Sequence, residues 1–184
     1  MTKTITNKIK IIGSLIVFGF IVVLSSTFAF ASEITPENIV NAINKEREAR
    51  FLSPLRVNSS LQNAAKNKSI DMITRNYFEH YAYGQTPWSF ILKEDYNYSV
   101  AGENLALGYS TAEGVVNAWM NSPTHRANIL NPEYEDIGVG VVKGAFTEDN
   151  RTAETTITTE MLAKPKPKIT QIYDRIVEVF SRIF

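Results

Sequence analysis

The chain has two histidines, His80 and His125, and the acids and hydroxyls spaced around them set what chemistry it could do near neutral pH. His80 closes the run Phe78-Glu79-His80, Glu103 and Asn104 belong to Gly102-Glu103-Asn104, and His125 follows Ser122 in Ser122-Pro123-Thr124-His125. With no cysteine in the sequence, disulfides, thiolate zinc sites and cysteine nucleophiles are all excluded, so a metal would have to be held by His, Asp or Glu. His80, His125 and Glu103 supply the ligand types of a three-ligand zinc site with one position open for water. A hydrolase would use the same residues differently, with Ser122 as nucleophile, His125 or His80 as base and Glu103 as orienter. Against that use, Ser122 precedes a proline, where serine is ordinary turn chemistry, and no Gly-x-Ser-x-Gly elbow is present. The plainest reading gives all three structural work: His80 caps a helix end, His125 bonds a carbonyl and Glu103 accepts amide hydrogen bonds in a tight turn.

Aromatic residues crowd the first histidine. Tyr77, Phe78, Tyr81, Tyr83 and Trp88 could wall a pocket for an apolar or amphiphilic ligand, or close the core over a short loop. Trp119, Val115 and Val116 recur at helical spacing and read as core. Arg126 has no catalytic role in this scheme.

The elements that must position these groups are legible from caps and breakers. Thr35-Pro36-Glu37 starts a helix predicted to reach about Arg50. Asn58-Ser59-Ser60 starts a second that ends near Asn76 and delivers His80 just past its exit. Thr86-Pro87 opens a short third helix, and Tyr96 to Val100 alternates weakly like a strand. Ser110-Thr111-Ala112-Glu113 fits a capping box, and Pro123 ends that helix ahead of His125. Beyond Asn131-Pro132 the texture becomes Ile137 to Val142, a loop from Gly144 to Arg151, and a threonine-rich run from Thr155 to Leu162, which predicts a hairpin. Helices first and strands late, without regular alternation, argue for an α+β domain.

The whole chain has 184 residues, 44% hydrophobic and 21% charged, with 19 basic and 19 acidic side chains, a balance that excludes a body built to hold nucleic acid. The charge does not cancel locally. Residues 1–31 carry three lysines and no acid, residues 32–163 carry eleven basic and seventeen acidic residues, and residues 164–184 carry five and two. Lysines, an uncharged run from Ile11 and a small-x-small pair at Ala29 and Ala31 read as a signal peptide cleaved after Ala31, the alternative being an uncleaved anchor. Either places the body outside the cytoplasm, secreted or attached to the outer face of the membrane. At the other end, Lys164-Pro165-Lys166-Pro167-Lys168 predicts a stiff linker, and Ile169, Ile172, Ile176, Val179, Phe180 and Ile183 predict an amphipathic helix over residues 169–184. That helix would dock on the domain, pair with a copy of itself or lie on a membrane surface.

In their order and spacing, Phe78-Glu79-His80, Gly102-Glu103-Asn104, the segment from Trp119 to Leu130 and Ile137-Gly138-Val139-Gly140-Val141 resemble the CAP superfamily. Its members, also called SCP domains, include cysteine-rich secretory and pathogenesis-related proteins. The resemblance covers about Ile34 to Ala163 and is nearest to the bacterial, cysteine-free branch. It implies a three-layer α-β-α sandwich over residues 32–163, with a cleft where His80, Glu103 and His125 converge and Asn104 and Ser122 lie close by. Animal and plant members add a second glutamate after the helical tryptophan, where this chain offers Ser122, so the implied metal tetrad is one anionic ligand short. The resemblance implies a binding or interaction module for a surface ligand (lipid, cell-wall material or protein). It implies no required cofactor, a divalent metal such as zinc being compatible. The competing reading is a hydrolase acting on peptide or cell-wall material through the same cleft.

Overall fold

The computed structural model describes residues 32–183, so the export segment expected over residues 1–31 lies outside the described residues. Helices begin where a side-chain oxygen can satisfy amides that have no partner inside the helix. Thr35 accepts from the Asn38 amide and Pro36 takes the first position of α1 (Pro36–Glu48). Asn58 accepts from the amides of Ser60 and Leu61 to start α2 (Ser59–Arg75), and Asn76 ends that helix in the left-handed region at φ 52°. Thr86 and Pro87 start α3 (Pro87–Lys93) in the same way. For α4 (Ala112–Asn121) the cap is Thr111, not the Ser110 of the predicted box, because Thr111 Oγ1 accepts from the Gly114 amide at 3.1 Å. Pro123 does end α4, yet it also opens a further helix, α5 (Pro123–Ile129), so His125 lies inside a helix and not after a stop.

The strands run longer than their sequence pattern suggests. β1 (Arg56–Val57), β2 (Tyr98–Leu107), β3 (Asp136–Glu148) and β4 (Arg151–Pro165) form one sheet in the order β1-β3-β4-β2, with β1 parallel to β3 and the other pairs antiparallel. The weak alternation from Tyr96 to Val100 is only the start of β2, which continues through Gly102-Glu103-Asn104. Glu103 therefore sits in a strand opposite Met161, not in a tight turn. The loop predicted from Gly144 to Arg151 is instead ladder, closed at Asp149 and Asn150 with φ of 49° and 61°, a backbone that Asp and Asn tolerate in two-residue hairpin turns. At its far end β4 passes the expected boundary at Ala163. Lys164 and Pro165 pair with Val100 and Tyr98, and the Lys166 amide donates to the Asn97 carbonyl at 2.9 Å. Because α6 (Lys168–Ile183) starts directly after, the linker predicted over 164–168 shrinks to Lys166 and Pro167.

Alternation along β3 separates two cores. Ile137 and Val139 join Ile39, Val40, Ile43, Val115, Val116 and Trp119 from α1 and α4. Gly138 and Gly140 face the other way, where a Cβ would run into the backbone of α2 at Leu61–Gln62 and Ala65–Lys66. Helix α2 therefore rides directly on the sheet, packing Leu61, Ala64 and Ala65 with Phe90, Ile91 and Met161, and Met72 with Leu105 and Ile157. Helices cover both faces, so the α+β, three-layer α-β-α sandwich is the observed fold.

Candidate functional site

The site forms at β2, the edge strand, because elements from both faces of the sheet reach that edge. From one face comes the segment after α2, which carries His80. From the other comes α5, which carries His125, held against β2. Between them β2 presents its side chains alternately, with Glu103 and Leu105 toward the α2 face and Asn104 and Ala106 toward the α4 and α5 face.

On the first face, His80 Nδ1 and Glu103 Oε1 are 2.7 Å apart. The Glu103 side chain is 2% exposed and that of His80 46%, so the imidazole forms the solvent side of a buried carboxylate. Burial raises the Glu103 pKa above the usual carboxylate range, while the His80 hydrogen bond and the nearby Lys68 charge pull it back down. Its other oxygen, Oε2, has no hydrogen-bond partner among the described residues. Lys68 holds this arrangement in place. Fully buried on α2, its Nζ donates to the carbonyls of Glu79 and His80 at 2.9 and 3.0 Å and to the Tyr77 hydroxyl at 3.3 Å, pinning the segment that aims His80.

On the second face a chain of amides holds α5. Asn104 Nδ2 donates to the His125 carbonyl at 3.1 Å and to Glu160 Oε2 at 2.6 Å, while its Oδ1 accepts from Asn128 Nδ2 at 2.8 Å. Asn128 also donates to the Glu103 carbonyl at 3.1 Å. Asn104 is completely buried, and its amide positions the His125 backbone. Gly102 is required beside this bracket, since a Cβ there would strike the Tyr134 hydroxyl and crowd Asn128 Oδ1.

His125 Nδ1 lies 2.8 Å from Ser122 Oγ, and burial followed by the neighbouring His80 lowers its pKa, which favours the neutral imidazole. Beside this pair opens a cleft of about 290 Å³ lined by Phe78, Leu105, Leu107, Tyr109, Trp119 and His125, together with Ala118 and Ser122. Trp119 is also core, as predicted, 2% exposed with its indole N–H donating to the Leu105 carbonyl. Of the five aromatics expected around His80, only Phe78 contributes to this wall. Tyr81 and Tyr83 are exposed, Tyr77 is buried under the Tyr83 ring, and Trp88 packs on Tyr98.

At the β2 edge His80 pairs with Glu103 and His125 with Ser122, as two separate pairs, while Asn104 holds the His125 backbone. Glu103 bonds His80 and not His125, so a Ser122–His125–Glu103 relay is not formed. Among the described residues no group of three or more His, Asp or Glu side chains is arranged to hold a metal ion.

Three buried charges of this region escaped the sequence reading. Arg47 donates to the carbonyls of Ser53, Ile129 and Asn131 and ties α1 to the end of α5. Glu160 is completely buried under Asn104, and burial pushes its pKa up to about 8 against the opposing pull of Asn104 and Arg47. Lys68 completes the set. A common signal exists: Arg47 falls in phase with Ile39, Val40 and Ile43, Lys68 with Leu61, Ala64, Ala65 and Met72, and Glu160 is a lone charge between Thr155 and Ala163. A charge on an apolar stripe must find buried partners.

Known proteins share this fold. The family model described as "CAP: Cysteine-rich secretory protein family" matches residues 40–157. The uncharacterized protein YkwD of Bacillus subtilis is 44% identical over 109 residues, which is 58% of this chain and 42% of that protein, so the chain spans less than half of that relative's length. Among solved structures, an extracellular protein containing a SCP domain from Bacillus anthracis aligns with a TM-score of 0.59 and 26% identity over 70% of this chain and 40% of its own. An outer surface protein of Borrelia burgdorferi aligns with the same TM-score of 0.59 and 26% identity over 74% of this chain and 100% of its own.

Proposed function

Because the chain belongs to the cysteine-rich secretory protein (CAP) family, we propose that it is an exported binding module whose cleft beside His125 receives the apolar part of a small amphiphile. Its export reading rests on the lysine-led apolar N-terminus and on the similarity to an extracellular and an outer surface protein. One observation carries the ligand reading: the cleft of about 290 Å³ is walled by Phe78, Leu105, Leu107, Tyr109 and Trp119, while Ser122 and His125, which also line it, sit side by side at 2.8 Å. Such a layout suits a ligand with one apolar end and one polar end. A neutral His125 can hydrogen-bond an uncharged or anionic head through a ring nitrogen, and the cleft lies at the low end of the size range for small-molecule sites.

The test is titration of the protein with a dansyl-labelled fatty acid, with Ala118→Phe as the blocking variant, since Ala118 borders the cleft and is half-buried. Saturable emission from the wild type, weakened by about tenfold or more in Ala118→Phe at unchanged urea stability, is the expected result. Equal binding by both proteins overturns the reading.

The 2.8 Å contact of Ser122 Oγ with His125 Nδ1 favours a second reading, hydrolysis of peptide or cell-wall material. It requires turnover that disappears in Ser122→Ala and in His125→Ala while both remain folded. Activity surviving in Ser122→Ala rules the serine mechanism out.

A further inference from the structure

Neither the cleft nor the sheet uses α6. Following its residues at 3.6 per turn, Ile169, Ile172, Tyr173, Ile176, Val177, Val179 and Phe180 fall in one uninterrupted arc of about 160°. No polar residue between Lys168 and Arg182 enters that arc. The apolar side chains are exposed, from 48% at Val177 to 74% at Ile169. On the opposite side, Gln171 donates to the Lys166 carbonyl at 2.7 Å and Asp174 accepts from Lys166 Nζ at 3.1 Å, so the short linker is clipped to the polar face. The three cations Lys168, Arg175 and Arg182 line up along one border of the apolar arc.

We propose that α6 is an in-plane membrane anchor, seating its Ile169-to-Phe180 face in an anionic lipid surface with Lys168, Arg175 and Arg182 at headgroup level. Width and length select this occupant over a second copy. A paired coiled coil uses a narrower a/d seam sustained over three or four heptads, whereas α6 has 16 residues and an arc broad enough to leave Tyr173 and Val177 outside such a seam. Charge selects an anionic surface. Residues 164–184 carry five basic and two acidic side chains, while residues 32–163 carry eleven and seventeen, so an anionic surface draws in the tail and not the body. Lying in the plane is the only mode open to α6, because no described helix is long and apolar enough to cross a membrane. The inference is independent of what the cleft binds.

The absence of cysteine supplies the experiment, since one introduced thiol is a unique label site. Val177→Cys on the apolar face and Gln171→Cys on the polar face, each in the full chain and each carrying a polarity-sensitive fluorophore, are mixed with vesicles of phosphatidylcholine alone or with phosphatidylglycerol. The label reports the surroundings of α6 whatever the N-terminal segment does. The expected result is a severalfold rise and blue shift at Val177 with phosphatidylglycerol, quenching by a lipid-borne quencher, and little change at Gln171. Adding Arg175→Glu and Arg182→Glu removes the preference for the anionic vesicles. A Val177 label as wet as the Gln171 label on anionic vesicles overturns the proposal. So does a blue shift already present without lipid that fades on dilution, which marks pairing with a second copy.

Discussion

In the His80–Glu103 hydrogen-bonded pair only one partner is buried, and that asymmetry decides what its loss does. Removing the exposed imidazole leaves the Glu103 carboxyl, 2% exposed, with neither oxygen hydrogen-bonded and only Lys68 nearby to offset its charge. An orphaned buried acceptor costs about 1–3 kcal/mol, so His80→Ala should lose that much in urea unfolding at neutral pH. In a Glu103→Gln background no carboxylate charge is left behind by the change, and the same His80→Ala change should cost less than half as much. An equal cost in both backgrounds would show that the pair is not coupled. His80 and His125 stand out in the sequence because it has only two histidines, and Glu103 enters through the Gly102-Glu103-Asn104 segment of the family resemblance. Their pairing is not legible there, because Glu103 is nearly equally distant in sequence from the two imidazoles, and only the strand alternation of β2 turns it toward His80.

At the scale of elements, α5 is held to β2 by side-chain amides as well as by apolar contact, with Ile129 as its one buried apolar residue. Asn104→Ala strips partners from the His125 carbonyl, Asn128 and Glu160 at once. We expect a loss of about 1–3 kcal/mol, with amide exchange in α5 accelerating far more than in α2. Uniform acceleration across both helices would mean that the amide chain is not a local clamp. What the sequence disclosed at this scale follows from locality. Thr35, Asn58 and Thr86 announce their helices because a cap is satisfied within three residues, and Pro36 and Pro87 confirm the starts. The extent of β2 was hidden because its inner residues, Glu103 and Asn104, are polar side chains buried by long-range partners, which breaks the alternation that marks a strand. Helix α5 was hidden because Pro123 reads as a stop, while the same residue is also a good first position. β4 outruns its predicted end because Lys164 and Pro165 take their register from β2, which no local pattern contains.

Across the whole molecule, the buried titratable groups set how stability responds to pH. Glu160 binds its proton more tightly folded than unfolded, its pKa rising from 4.5 to about 8, and Glu103 shifts in the same direction. A group with a raised native pKa contributes stability below its unfolded pKa and loses it as pH climbs toward the native value, so Glu160 makes the protein less stable from about pH 4.5 toward 8 and Glu103 acts in the same sense. His125 works the other way, because its lowered native pKa makes the unfolded chain the better proton acceptor just below pH 6.5, and stability falls there on acidification. The acids should dominate, since Glu160 is wholly buried in a strand and packed under Asn104, whereas His125 is only half-buried at the cleft. The free energy of unfolding measured in urea should therefore decline between pH 5 and 8, by an amount on the order of a few kcal/mol. Glu160→Gln keeps the hydrogen bond available to Asn104 and removes the titration, so it should flatten most of that decline without abolishing folding. If the slope survives in Glu160→Gln, the carboxylate is already ionised in the native state. Arg47, bound to three backbone carbonyls yet close enough to lower the Glu160 pKa, would then be the counter-charge that holds it so.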